Sequence, residues 1–93
     1  MKTLQSRSFK TKVRRFSKQE KSVLDKQILK IAKNPSVGTE KKGDLCGVYV
    51  YKFKIKTIQY LLSYRFSVDN FELIMIGPHE NYYRDFKNYL KAR

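Results

Sequence analysis

The sequence predicts an α+β fold in which an N-terminal helical hairpin packs on a small antiparallel sheet and a last helix follows the sheet. Two observations support this class. Apolar residues recur at helical spacing up to Asn34 and at every second position from Val48 onward. The chain has 93 residues, of which 41% are hydrophobic and 14% aromatic, which predicts one folded domain over residues 1–93. The expected element order is β-α-α-β-β-β-α.

The first elements are a short strand and a helix. Lys2–Gln5 carries a weak strand signal. Phe9, Val13 and Phe16 follow at positions i, i+4 and i+7, and the residues between them are Lys, Arg, Ser or Thr. This spacing places the three apolar side chains on one face of a helix that begins near Ser8.

The second helix has a clear start and a clear stop. Ser17 and Glu20 have the spacing of a capping box, with Ser17 at the N-cap. Asn34-Pro35 ends the helix, because proline lacks the amide proton that a helix interior requires. Three residues define its apolar face, namely Leu24, Ile28 and Ile31.

The C-terminal half is predicted to form three antiparallel strands and a helix. Strict alternation in Val48–Ile55 puts Tyr49, Tyr51, Phe53 and Ile55 on one face and Val48, Val50, Lys52 and Lys54 on the other. The remaining predicted elements are a loop at Val37–Asp44, a turn at Lys56–Gln59, strands at Tyr60–Phe66 and Phe71–Ile76, and a helix at Glu80–Lys91. Gly77-Pro78 is expected to end the last strand.

The charge is large for so short a chain. Lys and Arg number 21 against 8 Asp and Glu, which gives a net charge of +13. Such an excess indicates a polyanionic partner: nucleic acid, an acidic protein or an anionic membrane surface. No apolar run approaches the ~20 residues of a membrane span. The single cysteine, Cys46, cannot form an internal disulfide, so we expect a reducing compartment, the cytoplasm.

The first candidate site is the lysine pair on the predicted strand Val48–Ile55. Alternation aims Lys52 and Lys54 out of one sheet face, about 7 Å apart along the strand. Lys56 can extend the row, and Arg65 can join it from the next strand. Such a cluster can bind a phosphate and stabilise negative charge that grows on it. The alternative interpretation is a solvated strand face in a lysine-rich protein.

The second candidate is the only histidine, His79, at the junction between the last predicted strand and helix. An imidazole can take up and release a proton near neutral pH. Tyr83 follows one helical turn later and would share its face. The alternative is that His79 helps to start the helix and that Tyr83 belongs to the core.

The third candidate is the basic helix, which is rich in cations that can follow a nucleic-acid backbone. The alternative is a solubilising outer face. The residues concerned are Lys10, Lys12, Arg14 and Arg15. One His, one Cys and no tight acidic cluster argue against a zinc, calcium or two-metal site.

Four segments in this order resemble the RelE/ParE toxin superfamily of bacterial toxin–antitoxin modules. They are Gly43-Asp44-Leu45-x-Gly47, Val50-Tyr51-Lys52-Phe53-Lys54, Tyr60-Leu61-Leu62-Ser63-Tyr64-Arg65 and Gly77-Pro78-His79-Glu80. The resemblance covers nearly the whole chain. It implies one of two activities: RelE-like members cut mRNA on the ribosome, and ParE-like members poison DNA gyrase and lack the nuclease residues.

The resemblance also implies site residues, and the RelE-like branch is favoured. Lys52 and Lys54 look like the paired lysines of the RelE catalytic strand, and Arg65 looks like an arginine that several nucleases use. His79 looks like a histidine that nuclease relatives place at this corner, and Tyr83 matches an aromatic one turn later. One departure is Leu61, where RelE has an arginine. RelE also has arginine at the final corner.

The implied activity is that of a metal- and cofactor-independent mRNA endoribonuclease in which the 2′-hydroxyl attacks the adjacent phosphorus. Lys56 and the basic helix would bind RNA. The implied partners are an acidic antitoxin, the ribosome and mRNA, with no membrane. The alternative is a ParE-like inhibitor of DNA gyrase without nuclease activity.

Overall fold

The computed structural model describes residues 2–41 and 47–79. In chain order its elements are β1 (Lys2–Gln5), α1 (Arg7–Arg14), α2 (Lys18–Lys33), a 3₁₀ turn (Pro35–Val37), β2 (Thr39–Glu40), β3 (Tyr49–Ile55), β4 (Ile58–Phe66) and β5 (Asn70–Pro78). The predicted α+β class is confirmed. The predicted helix Glu80–Lys91, Tyr83 and the segment Gly43-Asp44-Leu45 lie outside the described residues.

Serine side chains start both helices. The Ser6 hydroxyl accepts a hydrogen bond from the Phe9 amide at 3.0 Å. The Ser17 hydroxyl accepts one from the Glu20 amide at 3.2 Å, and the Glu20 carboxylate accepts one from the Ser17 amide at 2.7 Å. This reciprocal pair is the predicted capping box, and α2 ends at Asn34 as predicted.

The first helix is shorter than the sequence pattern indicates. Arg15 is its C-cap, and the Ser17 cap begins the next helix after only one further residue. Phe16 therefore lies in the connection rather than in α1. It still reaches the core, where its ring packs edge-on against Tyr60 at a centroid distance of 5.6 Å. The i+7 spacing correctly predicted that Phe16 packs against the core. It wrongly predicted that helix α1 extends as far as Phe16.

Within the described part of the chain, the sheet has five strands in the order β1-β5-β4-β3-β2. β1 pairs with β5 in parallel, while the other pairs are antiparallel, so the sheet is mixed rather than antiparallel throughout. The predicted loop Val37–Asp44 contains a further strand, Thr39–Glu40, which pairs with β3. A strand of two residues is too short to show an alternation pattern.

The β3–β4 hairpin is tighter than predicted. Ile55 pairs with Ile58, which leaves only Lys56 and Thr57 in the turn. Lys56 has a φ of 57°, in the left-handed region that tight hairpin turns require. Pairing therefore begins two residues before Tyr60, and this fixes which side chains are neighbours across the strands.

The sheet buries side chains on both faces. The face that packs against α1 and α2 carries the larger cluster, and the opposite face carries a smaller one, as the alternation predicted. The larger cluster includes Phe9, Leu24, Ile31, Phe53, Ile55, Tyr60, Leu62, Tyr64, Phe71, Leu73 and Ile76. The smaller cluster contains Val48, Val50, Leu61, Ile74 and Met75.

Tyr64 ties the segment after α2 to the sheet. Its hydroxyl donates a hydrogen bond to the Pro35 carbonyl at 2.5 Å and accepts one from the Gly38 amide at 3.0 Å. A β-carbon at Gly38 would lie 2.6 Å from the Tyr64 hydroxyl oxygen and 3.0 Å from the Val50 carbonyl oxygen. Glycine is therefore required here for close approach, and the contact sets the entry into β2.

The last strand is longer than expected. β5 continues through Gly77 and Pro78, which the sequence pattern had placed beyond its end. Pro78 pairs with Tyr60 at the start of β4. His79 follows directly. Within residues 2–41 and 47–79, no helix is long and apolar enough to cross a membrane.

Candidate functional site

The two lysines of β3 are exposed on an otherwise buried strand. Val50, Phe53 and Ile55 are buried, whereas Lys52 and Lys54 are exposed on the face opposite the helices. Residues two apart on a strand are about 7 Å apart, so the two side chains project together from one face. This arrangement is the one that alternation predicted.

Two neighbouring strands complete the surroundings of Lys52. It lies directly opposite Leu61 on β4, and Leu61 lies opposite Gly77 on β5. Leu61 is 0% exposed and belongs to the smaller buried cluster. Among the described residues, no atom lies within 4 Å of where a β-carbon at Gly77 would be, and Gly77 itself is buried. The row thus has one exposed cation, one buried apolar residue and a buried glycine.

The next row is polar. Lys54 pairs with Gln59, and Tyr60, the next residue of β4, pairs with Pro78, the last residue of β5. His79 follows directly after β5. An open depression of about 280 Å³ lies at this end of the sheet, lined by Ile58, Gln59, Pro78 and His79.

These groups suit an anionic ligand. Lys52, Lys54 and His79 are exposed, and among the described residues they have no hydrogen-bond or ion-pair partner. Ammonium groups donate up to three hydrogen bonds each, and an imidazole can donate or accept a proton. A phosphate placed between β3 and the end of β5 lies within reach of these groups.

Arg65 does not join this cluster. It pairs with Glu72 on β5 and lies four residues beyond Leu61 along β4, about 13 Å away. It lines a different depression of about 200 Å³ together with Leu4 and Glu72. The expectation that Arg65 joins the lysine row from the next strand is therefore wrong, because the β4–β5 register places Arg65 beside a carboxylate.

Lys56 lies at the hairpin turn, near the start of α2. A hydrogen bond from the Ser17 amide lowers the pKa of Glu20 below its ordinary value, and the positive charge of Lys56 lowers that pKa further. Burial acts in the opposite direction on the same pKa. The Lys56 charge thus acts on the helix side of the hairpin, whereas Lys52 and Lys54 lie on the opposite face.

The first helix, which carries the basic residues, packs against another part of the sheet. Helix α1 packs along β5, where the Ser6 hydroxyl donates to the Ile74 carbonyl and the Ser8 hydroxyl donates to the Met75 sulfur at 3.4 Å. β5 is two strands from the lysine-bearing β3. The predicted RNA-binding residues of the first helix and its C-cap differ in exposure. Lys10, Arg14 and Arg15 are exposed, and Lys12 is partly buried.

Sequence reasoning missed Gln59 and Gly77 as neighbours of the lysine pair. A four-residue turn had been assigned to Lys56–Gln59, which removed Gln59 from the strand. A two-residue turn with Lys56 in the left-handed region would have placed Gln59 opposite Lys54. No group of three His, Cys, Asp or Glu side chains that could hold a metal occurs within the described ranges 2–41 and 47–79.

Together, the helical pair and the small mixed sheet define a small α+β domain that carries two exposed lysines on one sheet face. The family model for the ParE-like toxin of type II bacterial toxin–antitoxin systems matches residues 3–87. The chain belongs to this family and, through it, to the RelE/ParE superfamily that the sequence motifs predicted.

A solved structure shares the fold. A chain in the crystal structure of the intact Escherichia coli RelBE toxin–antitoxin complex superposes with a TM-score of 0.65 at 17% identity, covering 82% of this chain and 93% of that one. The solution structure of a conserved hypothetical protein, HP0894 from Helicobacter pylori, gives a TM-score of 0.46 at 24% identity, covering 86% and 96%. No curated protein matches the sequence.

Proposed function

We propose that this toxin is an mRNA endoribonuclease that acts on translating ribosomes and inhibits translation. The single observation that carries the proposal is the exposed lysine pair on one sheet face, with a glutamine and a histidine at the same end of the sheet. Lys52 and Lys54 project together, Gln59 pairs with Lys54, and Gln59 and His79 line one depression. Ammonium groups and an imidazole are the groups that metal-independent phosphate chemistry requires.

In the proposed reaction, the 2′-hydroxyl of the RNA loses its proton and its oxygen attacks the adjacent phosphorus. The bond between phosphorus and the 5′-oxygen breaks, leaving a 2′,3′-cyclic phosphate and a 5′-hydroxyl. Lys52 and Lys54 stabilise the negative charge that grows on the phosphoryl oxygens. His79 transfers one of the two protons, either from the attacking hydroxyl or to the leaving oxygen, and solvent water supplies or takes up the other.

The proposed roles of Arg65 and Tyr83 differ from that of the lysine pair. Arg65 is separated from Lys52 by about 13 Å along the sheet, so it would contact RNA away from the scissile phosphate. Tyr83 keeps the role that the resemblance implies, an aromatic ring beside the substrate. Neither residue carries the proposal.

The charge supports the proposed partners. A net charge of +13 favours ribosomal RNA and mRNA, and it favours an acidic antitoxin that covers the basic surface. Lys10, Lys12, Arg14 and Arg15 would contribute to RNA binding, and Lys56 would contribute from the hairpin turn. The RelBE complex gives a precedent for an antitoxin bound to a chain of this fold. The proposed targets place the activity in the cytoplasm.

A second candidate function is gyrase inhibition without nuclease activity, as in ParE-like members. One observation favours it. Leu61 occupies the position where RelE has an arginine, and Leu61 is 0% exposed in an apolar cluster with Val48 and Val50. That position therefore offers no cation to a phosphate. A chain of this fold that bound gyrase without cutting RNA would not need a cation at this position.

The test uses the purified toxin with translating ribosomes and, separately, with DNA gyrase. The nuclease proposal predicts mRNA cleaved at mapped positions, with 2′,3′-cyclic phosphate ends. Gyrase-dependent DNA breaks with intact mRNA would contradict it and support the second candidate.

A further inference from the structure

The depression at the end of the β4–β5 ladder combines apolar and polar groups in a way that phosphate binding does not need. Ile58 and Pro78 give it apolar surface, while Gln59 and His79 give it hydrogen-bonding groups. Ile58 is 50% exposed although it is a large aliphatic residue. Apolar walls with one or two polar groups are typical of a site for a small planar ligand.

The Gln59 amide is available to such a ligand. Its side chain is exposed, and within residues 2–41 and 47–79 it has no hydrogen-bond partner. It pairs with Lys54 across the β3–β4 ladder and lines the depression together with His79. The amide is neutral and offers one acceptor and two donors, so it adds hydrogen-bonding specificity rather than charge.

We infer that this depression binds the base of a nucleotide next to the phosphate held by Lys54, and that Gln59 recognises adenine there. The inference rests on the proposed RNA-cleaving function and identifies its substrate more closely. A glutamine amide can form two hydrogen bonds with adenine, accepting from N6 and donating to N7. Unpaired RNA bases expose this edge, because single strands can turn their bases out onto a protein surface.

The inference is tested by binding, which does not depend on cleavage. Fluorescence anisotropy would measure the affinity of the purified toxin for labelled six-nucleotide oligo(A), oligo(C) and oligo(U) whose 2′-hydroxyls are methylated. We expect wild-type protein to bind oligo(A) on the order of tenfold more tightly than oligo(U), the size of one good bidentate contact. Gln59→Leu should abolish this preference.

Gln59→Glu gives a sharper result, because a carboxylate accepts from the cytosine amino group but cannot donate to adenine N7. The preference should move from oligo(A) to oligo(C). Each ratio compares ligands on one protein, so the added charge affects both ligands alike. Gln19→Leu, the same change at an exposed position of α2, is the control and should keep the preference for oligo(A).

Equal affinity of wild-type toxin for the three oligonucleotides, or an adenine preference that survives Gln59→Leu, would overturn the inference. If the base preference follows Gln59 but translating ribosomes show no cleaved mRNA, the base site stands and the nuclease proposal fails. Circular dichroism melting of each variant checks that it is folded.

Discussion

Lys52 lies directly opposite Leu61 in the β3–β4 ladder, so an exposed ammonium group neighbours a fully buried apolar side chain. The centre of β4 therefore presents no cation on this sheet face, and the exposed positive charge there belongs to the lysines of β3.

The lysine pair should be required for cleavage. Lys52→Ala and Lys54→Ala are each expected to lower ribosome-dependent mRNA cleavage by about 10²–10³-fold, the usual cost of losing one charge-stabilising donor. Single-turnover cleavage of a reporter mRNA measures this. The matched control, called here the α2 control, is the double variant Lys26→Ala/Lys30→Ala, which removes two exposed lysines from α2. If the α2 control lost as much cleavage activity as Lys52→Ala and Lys54→Ala, the losses would indicate a nonspecific charge effect.

Leu61 should matter for stability and not for chemistry. Because it is fully buried, Leu61→Ala is expected to lower the free energy of unfolding by about 2–5 kcal/mol, as large-to-small core changes do. Leu61→Met conserves volume and should cost less than about 1.5 kcal/mol. Urea denaturation measures both. Loss of cleavage in a well-folded Leu61→Met variant would assign this position a catalytic role and contradict the expectation.

The hydroxyl of Tyr64 should stabilise the path from α2 to β2. Tyr64→Phe removes the bonds to Pro35 and Gly38 and is expected to cost about 1–3 kcal/mol, because both partners are left unpaired. Tyr49→Phe is the control, since its hydroxyl makes only a 3.4 Å contact with Glu40 at the surface. Thermal denaturation compares them. If Tyr64→Phe and Tyr49→Phe lowered stability equally, the two hydrogen bonds of the Tyr64 hydroxyl would add no stability beyond that of the aromatic ring.

Some of this architecture follows from local pattern. The capping box at Ser17 and Glu20 depends on residues three apart, and strand alternation places Lys52 and Lys54 on one face without knowledge of any other strand. These features need only sequence spacing and the periods of helix and strand.

Other features depend on pairings between distant segments. The position of Arg65 depends on the register of β4 against β5, and the fit of Gly38 depends on Tyr64, 26 positions later. The parallel pairing of Lys2–Gln5 with β5 joins the two ends of the described chain. Strand register and close contacts between residues far apart in the chain leave no periodic signal in the sequence. The sequence therefore indicated the strands but not which strands and residues lie side by side.

The capping box predicts a pH dependence at the start of α2. The hydrogen bond from the Ser17 amide lowers the pKa of Glu20 below its ordinary value of 4.5. A lowered pKa means that the folded state favours the carboxylate. Its stabilising contribution is therefore complete above pH 4.5 and is lost as the pH falls through the lower folded value. Glu20→Gln should show a flatter acid limb in thermal melts between pH 6 and 3.

A parallel loss of stability would contradict this prediction. If wild type and Glu20→Gln lost stability in parallel over that pH range, Glu20 would have the same pKa in the folded and unfolded chains. Asp25→Asn, an exposed acid on the same helix, is the matched control and should keep the slope of the wild type.

Binding to RNA should depend on salt through the basic residues of the N-terminal helix region. Each phosphate neutralised on a single strand contributes about −0.7 to the slope of log K against log salt. Arg14→Ala/Arg15→Ala removes two exposed cations and is expected to reduce the magnitude of that slope by about 1.4. Filter binding from 50 to 300 mM salt measures it. An unchanged slope would mean that these arginines only solubilise the protein.

Growth arrest by a site-deficient toxin is the most direct test of the central claim. The triple variant Lys52→Ala/Lys54→Ala/His79→Ala and the α2 control would be induced to equal soluble levels in bacteria without an antitoxin. The account predicts that wild type and the α2 control stop growth and leave cut mRNA, while the triple variant allows growth and leaves mRNA intact. Full toxicity of a folded triple variant would contradict the nuclease and point to the gyrase-directed alternative.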